Sequence, residues 1–145
     1  HLWMSKEHAI TVYEKLYPIS DIVFLTADEA DILLGGLQGD KIHHKLKNLG
    51  VRESVLKDGK NPCTIFSGSE IIEVPARKGV SVVDTTAAGD SFSAVYLVAR
   101  YFGCSPLDAA KMAHETAAYV VGYKGAIAPV EQMPVSGSDI SNCMK

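Results

Sequence analysis

Apolar residues recur at helical spacing after Ser5. Ala9, Val12, Tyr13 and Leu16 share one face, and Pro18 closes the stretch. The next apolar run, "DIVFL" at 21–25, is continuous and rich in β-branched and aromatic residues, as in a strand buried on both faces. "ADEADILLGG" predicts a short helix ending at Gly35, and Asp40 predicts the cap of a helix with Ile42, Leu46 and Leu49 on one face and Gly50 as its stop. "RESVLK" (52–57) predicts a strand. "CTIF" and "EIIEV", either side of Ser67-Gly68-Ser69, predict a hairpin, and "VSVVD" (80–84) a further buried strand. A long apolar helix follows over about 88–102. Ser105 then caps a last helix, with Pro106 in the first position and Asp108 in the third, which stops at Gly122. Helices alternating with buried strands predict an α/β fold with a mostly parallel sheet flanked by helices. The tail at 135–145, "VSGSDISNCMK", is polar and reads as frayed.

Bulk composition narrows the function. The 145 residues are 47% hydrophobic and 21% charged, enough for a sizeable core. A net charge of −3 supplies no global basic field for nucleic acid or an anionic membrane. No apolar run reaches the 18 or so residues of a membrane span. Three scattered cysteines without a CxxC predict neither a disulfide framework nor a zinc knuckle, and point to a reducing cytoplasm. His43-His44, adjacent on a Lys-rich helix, do not share a face and read as solvated. No GxGxxG follows a strand, which removes the usual nicotinamide-cofactor fingerprint.

Chemistry concentrates at "VVDTTAAGDSF" (82–92). A strand ends at Asp84, small residues follow, and Asp90 opens a helix with no other charged side chain before Arg100. A helix apolar on every side is expected to be largely buried. Small residues leave the first backbone N–H groups accessible, and with the helix dipole these form an anion site. An acid beside such a site can take a proton from an attacking hydroxyl while the N–H groups stabilise a transferring phosphoryl group. By spacing alone Asp90 reads equally well as an ordinary helix cap.

The nonapeptide "DTTAAGDSF" resembles the second signature of the ribokinase-like (PfkB) carbohydrate kinase family. "VLKDG" is similar to that family's strand and turn beside the nucleotide, and "YKGAIAPVEQMP" to its loop under the adenine and cation site. "LW.SKE", "DIVFLTADEADILLG", "DAAK..H.TA" and "Y.GAI.P.E.MP" resemble the C-terminal half of the branch that acts on 2-keto-3-deoxygluconate. The likeness covers about residues 1–134. It implies the nucleotide-binding part of a ribokinase-like domain, with the lid and most sugar contacts on a preceding portion.

The resemblance assigns roles residue by residue. Asp90 matches the general base, and Ala87, Ala88 and Gly89 with Asp90 match the backbone anion hole. Lys57, Gly59, His114 and Gly125 match nucleotide-binding positions. Glu29 matches the acid that helps hold magnesium-bound phosphates. The Asn of that family motif is here Thr26, so the magnesium role carries to Glu29. Asp84 and the carbonyl of Thr86 match ligands of a monovalent cation, potassium being the candidate, with the carbonyls of Val120, Tyr123 and Gly125 to complete the site. "KDGKNPC" lacks the usual second glycine, so Lys60–Pro62 inherit no contact. Taken alone, Glu29 would be a dipole-compensating acid, Asp84 a strand end, His114 a packed histidine, and Lys57 and Gly59 turn residues.

The implied activity is ATP- and magnesium-dependent phosphorylation of the 6-hydroxyl of a keto-deoxy sugar acid, in the cytoplasm. Neither nucleic acid nor membrane is an expected partner, and a homo-oligomer is expected at full length. Two alternatives stand beside it: a nucleotide-binding or structural half without turnover of its own, and a sugar kinase of ribokinase or fructokinase type. A half lacking its preceding portion is expected to expose apolar sheet surface and to self-associate.

Overall fold

A computed structural model describes residues 3–144. His1, Leu2 and Lys145, which include the first residue of the Leu2-Trp3 motif and the ends of the predicted domain and tail, lie outside the described residues. The chain divides into two compact units, one ending at Glu73 and the other beginning at Val74.

In the first unit, α1 (Lys6–Leu16) starts where the Ser5 hydroxyl accepts the His8 N–H at 3.1 Å, and a 3₁₀ turn through Pro18 ends it. Strand β1 (Ile22–Thr26) leads into α2 (Ala27–Leu33), then α3 (Asp40–Asn48) and β2 (Glu53–Lys57). Two helices between β1 and β2 supply a crossover, so these strands pair in parallel, with Ile22 opposite Glu53 and Thr26 opposite Lys57. Only residues 58–62 separate β2 from β3 (Cys63–Ser67), too short for a crossover, and this pair is antiparallel. A turn at Gly68-Ser69, with Gly68 at φ 63°, carries the chain into β4 (Glu70–Val74), and the sheet order is β1-β2-β3-β4. The described sheet is therefore mixed, where the sequence predicted mostly parallel. Tyr17, Val23, Leu25, Leu34, Ile42, Leu46 and Val51 form its core. Gly39 rather than Asp40 caps α3, at a φ of 55° that glycine adopts without strain. His44 is exposed, as expected, but His43 is half-buried: its ring stacks on Phe66 at 4.8 Å, and burial holds its pKa below the ordinary imidazole value.

In the second unit, α4 (Ala88–Tyr101) packs on α5 (Pro106–Val120). Phe92, Tyr96 and Ala99 of α4 and Ala109, Ala110, Ala113 and Val120 of α5 are buried, so small residues on one helix make room for rings on the other. The Ser105 cap forms as predicted, its hydroxyl accepting the Asp108 N–H at 3.1 Å. Three expectations change. Residues 80–84 form no strand among the described residues, and the N–H groups of Val83 and Asp84 go instead to the Val121 carbonyl at 2.8 and 3.2 Å. Helix α4 is buried on one side only. The tail folds into α6 (Gly137–Ser141), capped by Ser136, and is joined to the α4–α5 turn by a Cys104–Cys143 disulfide. The two cysteines stand 39 residues apart in sequence, and only the folding of the tail brings them together.

Candidate active site

Helix α4 begins on Ala87, with φ 61° and ψ 8°, and no side chain caps it. Among the described residues Ala87 is the one non-glycine with positive φ, a conformation that costs an L-residue roughly 1–2 kcal/mol. Asp90 stands at the third helical position. It is exposed, and its carboxylate has no hydrogen-bond or ion-pair partner among the described residues. The capping reading of Asp90 therefore does not hold. The Ala88 N–H turns back to the Thr85 carbonyl at 3.2 Å, and the Ser91 N–H donates to the Ala87 carbonyl at 2.9 Å. Of the four predicted anion-hole groups, the one at Ala88 is thus shared with the chain itself.

Asp84 holds this left-handed entry in place. Its Oδ1 accepts the Thr86 N–H at 2.9 Å and the Thr86 hydroxyl at 2.7 Å, a side-chain turn that fixes the loop. Its Oδ2 accepts the Gly125 N–H at 2.9 Å, from the loop that follows α5. The Thr86 hydroxyl, then the Thr86 and Gly125 N–H groups, hold the Asp84 carboxyl below its usual range. Gly125 itself sits at φ 85°, which suits glycine at this contact. The loop is tied down again where the Tyr119 hydroxyl donates to the Pro129 carbonyl at 2.8 Å.

Asp84, Thr86 and Gly125, predicted as ligands or nucleotide contacts, are thus gathered around one carboxylate. Asp84 acts there as a three-bond acceptor. Of the carbonyls proposed for a monovalent cation, that of Val120 accepts the Tyr123 N–H at 3.1 Å. No group of three or more His, Cys, Asp or Glu side chains close enough to hold a metal ion occurs among the described residues. A magnesium ion carried by nucleotide phosphates needs only one or two protein carboxylates, so this does not conflict with the donor set. His114 Nε2 lies 3.2 Å from the Val74 carbonyl, and its ring meets the edge of Phe92 at 5.0 Å. Burial lowers its pKa, which favours the neutral ring.

The predicted residues of the first unit have local roles of their own. Thr26 and Glu29 form a capping box on α2: the Thr26 N–H donates to Glu29 Oε2 at 2.7 Å, and the Thr26 hydroxyl accepts the Glu29 N–H at 3.1 Å. Thr26, which stands where the family motif has Asn, thus serves as the cap of this helix. Lys57 ends β2 with its ammonium 5.7 Å from the centre of the Phe24 ring. Gly59 takes φ 53° in the following turn, where an added Cβ would meet nothing within 4 Å. Sequence reasoning missed the Gly125 N–H as a donor and the Val121 carbonyl as a double acceptor, because backbone roles leave no mark on side-chain identity.

A ribokinase-type α/β arrangement with a strained, uncapped helix entry and a nearby carboxylate defines a class, and comparison places the chain in it. Residues 2–133 match the pfkB family carbohydrate kinases, and the chain belongs to that family. It is 47% identical over 136 residues to the 2-dehydro-3-deoxygluconokinase of Dickeya dadantii and 46% identical over 136 residues to that of Escherichia coli K12. In both cases the match takes in 92% of this chain and 44% of the relative, so the chain spans under half the length of these relatives. Among solved structures, an Arabidopsis thaliana ribokinase complexed with ribose and ATP is similar with a TM-score of 0.74 and 28% identity, over 91% of this chain and 43% of that one. No helix among the described residues is long and apolar enough to cross a membrane.

Proposed function

We propose that this chain is the nucleotide-binding, base-carrying part of a kinase that phosphorylates the 6-hydroxyl of 2-keto-3-deoxygluconate with ATP. The observation that carries the reading is the start of α4, a left-handed alanine without a cap followed by an unpartnered carboxylate three residues on. The opening turn of α4, its Ala88 N–H shared with the Thr85 carbonyl, and the positive end of the helix dipole face the end phosphate of ATP. Asp90 takes the proton of the sugar hydroxyl as its oxygen bonds to the terminal phosphorus. The bond from that phosphorus to the bridging oxygen breaks, and ADP carries that oxygen away. Asp84 positions this cradle through Thr86 and ties it to the loop at Gly125. Glu29, Lys57, Gly59 and His114 serve the nucleotide and its metal by family resemblance. Magnesium, when bound, offsets phosphate charge. Identity to the ketodeoxygluconokinases supports this sugar over ribose or fructose.

A second reading, binding without turnover, is favoured by one fact: more than half of each of those relatives lies outside the match. Fusion to this chain of the portion of the Dickeya dadantii enzyme that lies outside the match separates the two. ADP release dependent on 2-keto-3-deoxygluconate is expected from the fusion, and nucleotide binding without turnover from the chain alone. A fusion that binds ATP but turns over only ribose or fructose would overturn the substrate assignment.

A further inference from the structure

The Cys104–Cys143 disulfide joins two segments of unequal rigidity. Cys104 is 1% exposed and sits just past the glycine stop of α4. Gly103, at φ 88°, donates its N–H to the Arg100 carbonyl at 3.1 Å, and the Cys104 N–H donates to the Ala99 carbonyl at 3.0 Å, the paired bonds of a helix ending on glycine. The Cys104 carbonyl in turn accepts Arg100 Nη1 at 2.6 Å. The position of this cysteine is therefore set by the helix end as well as by the disulfide. Cys143 lies in different surroundings. Of residues 136–143 only Ile140 and Cys143 are half-buried, and the rest are exposed. Helix α6 has five residues, none of them buried, and the capping box that starts it, between Ser136 and Asp139, lies within the tail itself. A helix this short does not hold its shape in water without tertiary support. The family match ends at residue 133, so Cys143 and α6 stand outside the part of the fold the family shares.

We propose that Cys143 is a redox modification site, at which a small-molecule thiol such as glutathione opens the disulfide and releases the tail. Exposure decides which sulfur is attacked: Cys143 is partly accessible, and Cys104 is closed off. The incoming thiolate bonds to Cys143 Sγ as the bond from Cys143 to Cys104 breaks. Cys104 departs as a thiolate and takes a proton from solvent. A second thiolate then attacks the small-molecule sulfur of the mixed disulfide, and Cys143 departs and is protonated in turn. Two small thiols are thereby oxidised to one disulfide while the two cysteines are reduced, and the oxidised small thiol drives the reverse reaction. Opening removes the covalent tie between α6 and the α4–α5 turn, and the little apolar surface the tail buries does not offset the entropy of ordering it. Release uncovers Cys104, whose Sγ lies 3.7 Å from the Ile140 carbonyl in the closed form. The buried contacts of Phe92, Tyr96 and Ala99 with α5 are left in place. The inference rests on the packing around the two cysteines and on no part of the kinase reading.

The test equilibrates the whole chain with reduced and oxidised glutathione at a series of ratios, traps thiols by alkylation, and reads mass together with amide exchange. A reversible transition of two cysteines is expected, with exchange at 138–143 faster by about tenfold or more in the reduced chain and exchange in α4 and α5 unchanged. Reduction stopped early should trap a glutathione adduct on Cys143. Cys63, 1% exposed, should stay unalkylated throughout, which shows that opening does not require unfolding. Cys143→Ser should give the fast tail exchange at every ratio. A disulfide that fails to form from oxidised glutathione or persists at every ratio, an adduct on Cys104 instead, alkylation of Cys63 together with the pair, or a tail that exchanges equally slowly in both states would each overturn the proposal.

Discussion

The two ends of helix α4 are built on opposite terms. At its C-terminal end the chain is fastened repeatedly. Arg100 Nη1 donates to the Cys104 carbonyl at 2.6 Å, Ser105 caps the next helix, and Cys104 is bonded to Cys143. At its N-terminal end the helix opens on a strained alanine with no side-chain cap, and the entry loop is held by Asp84. Four other helices begin on a hydroxyl that caps them, at Ser5, Thr26, Ser105 and Ser136, and α3 begins on a glycine that tolerates positive φ. Among the described helices only α4 combines a left-handed non-glycine start with a missing side-chain cap. The fastening is concentrated at the end where no chemistry is proposed, and the end without a side-chain cap is the one where the anion site is proposed.

The largest expected effect breaks the fastened end. Reduction of the disulfide, or Cys143→Ser, removes a link across 39 residues and lowers stability by up to about 4 kcal/mol on the loop-entropy account. Denaturant unfolding measures that loss, while amide exchange at Thr86 should stay as it was. Asp84→Ala attacks the other end. It frees the Thr86 hydroxyl and two N–H groups at once, and misplacing the cradle in this way should weaken nucleotide binding or turnover in the fused enzyme by about ten- to a hundredfold. Asp84 also sets a pH limb. Its carboxyl is depressed in the folded state, so its contribution is present above the unfolded carboxylate value of about 3.9 and is lost as pH falls through the folded one. Asp84→Asn should flatten that acid limb in a thermal-unfolding series.

Three smaller substitutions sharpen the contrast between helix starts. Ser105→Ala should cost about 1 kcal/mol, as loss of a working cap does. Ala87→Gly should stabilise by up to about 1 kcal/mol through relief of the left-handed alanine, while Ala88→Gly one residue on should destabilise by a similar amount. Equal effects at 87 and 88 would remove strain from the account.

Much of the frame was legible because it rests on local chemistry. Ser5 and Ser105 cap as their types require, Pro106 opens α5, and Gly68-Ser69 turns the hairpin. The failures are non-local. Residues 80–84 have strand composition, yet pairing needs a neighbour, and composition does not say whether one is present. The all-round apolar character of α4 predicted burial on every side, whereas burial depends on what packs there. The disulfide escaped because cysteine spacing carries no contact information. At the site, the nine-residue signature pointed to Asp84 and Asp90 directly. The positive φ of Ala87 did not show, because nothing in an Ala-Ala-Gly string marks which residue turns left.

If Asp90 is the base beside a backbone phosphate cradle, Asp90→Asn in the fused enzyme strikes at the proton transfer itself. The side chain keeps its size and loses its basicity. A kcat reduced by about 10²- to 10⁴-fold is expected, with ATP still bound by calorimetry. Undiminished kcat in that variant would contradict it.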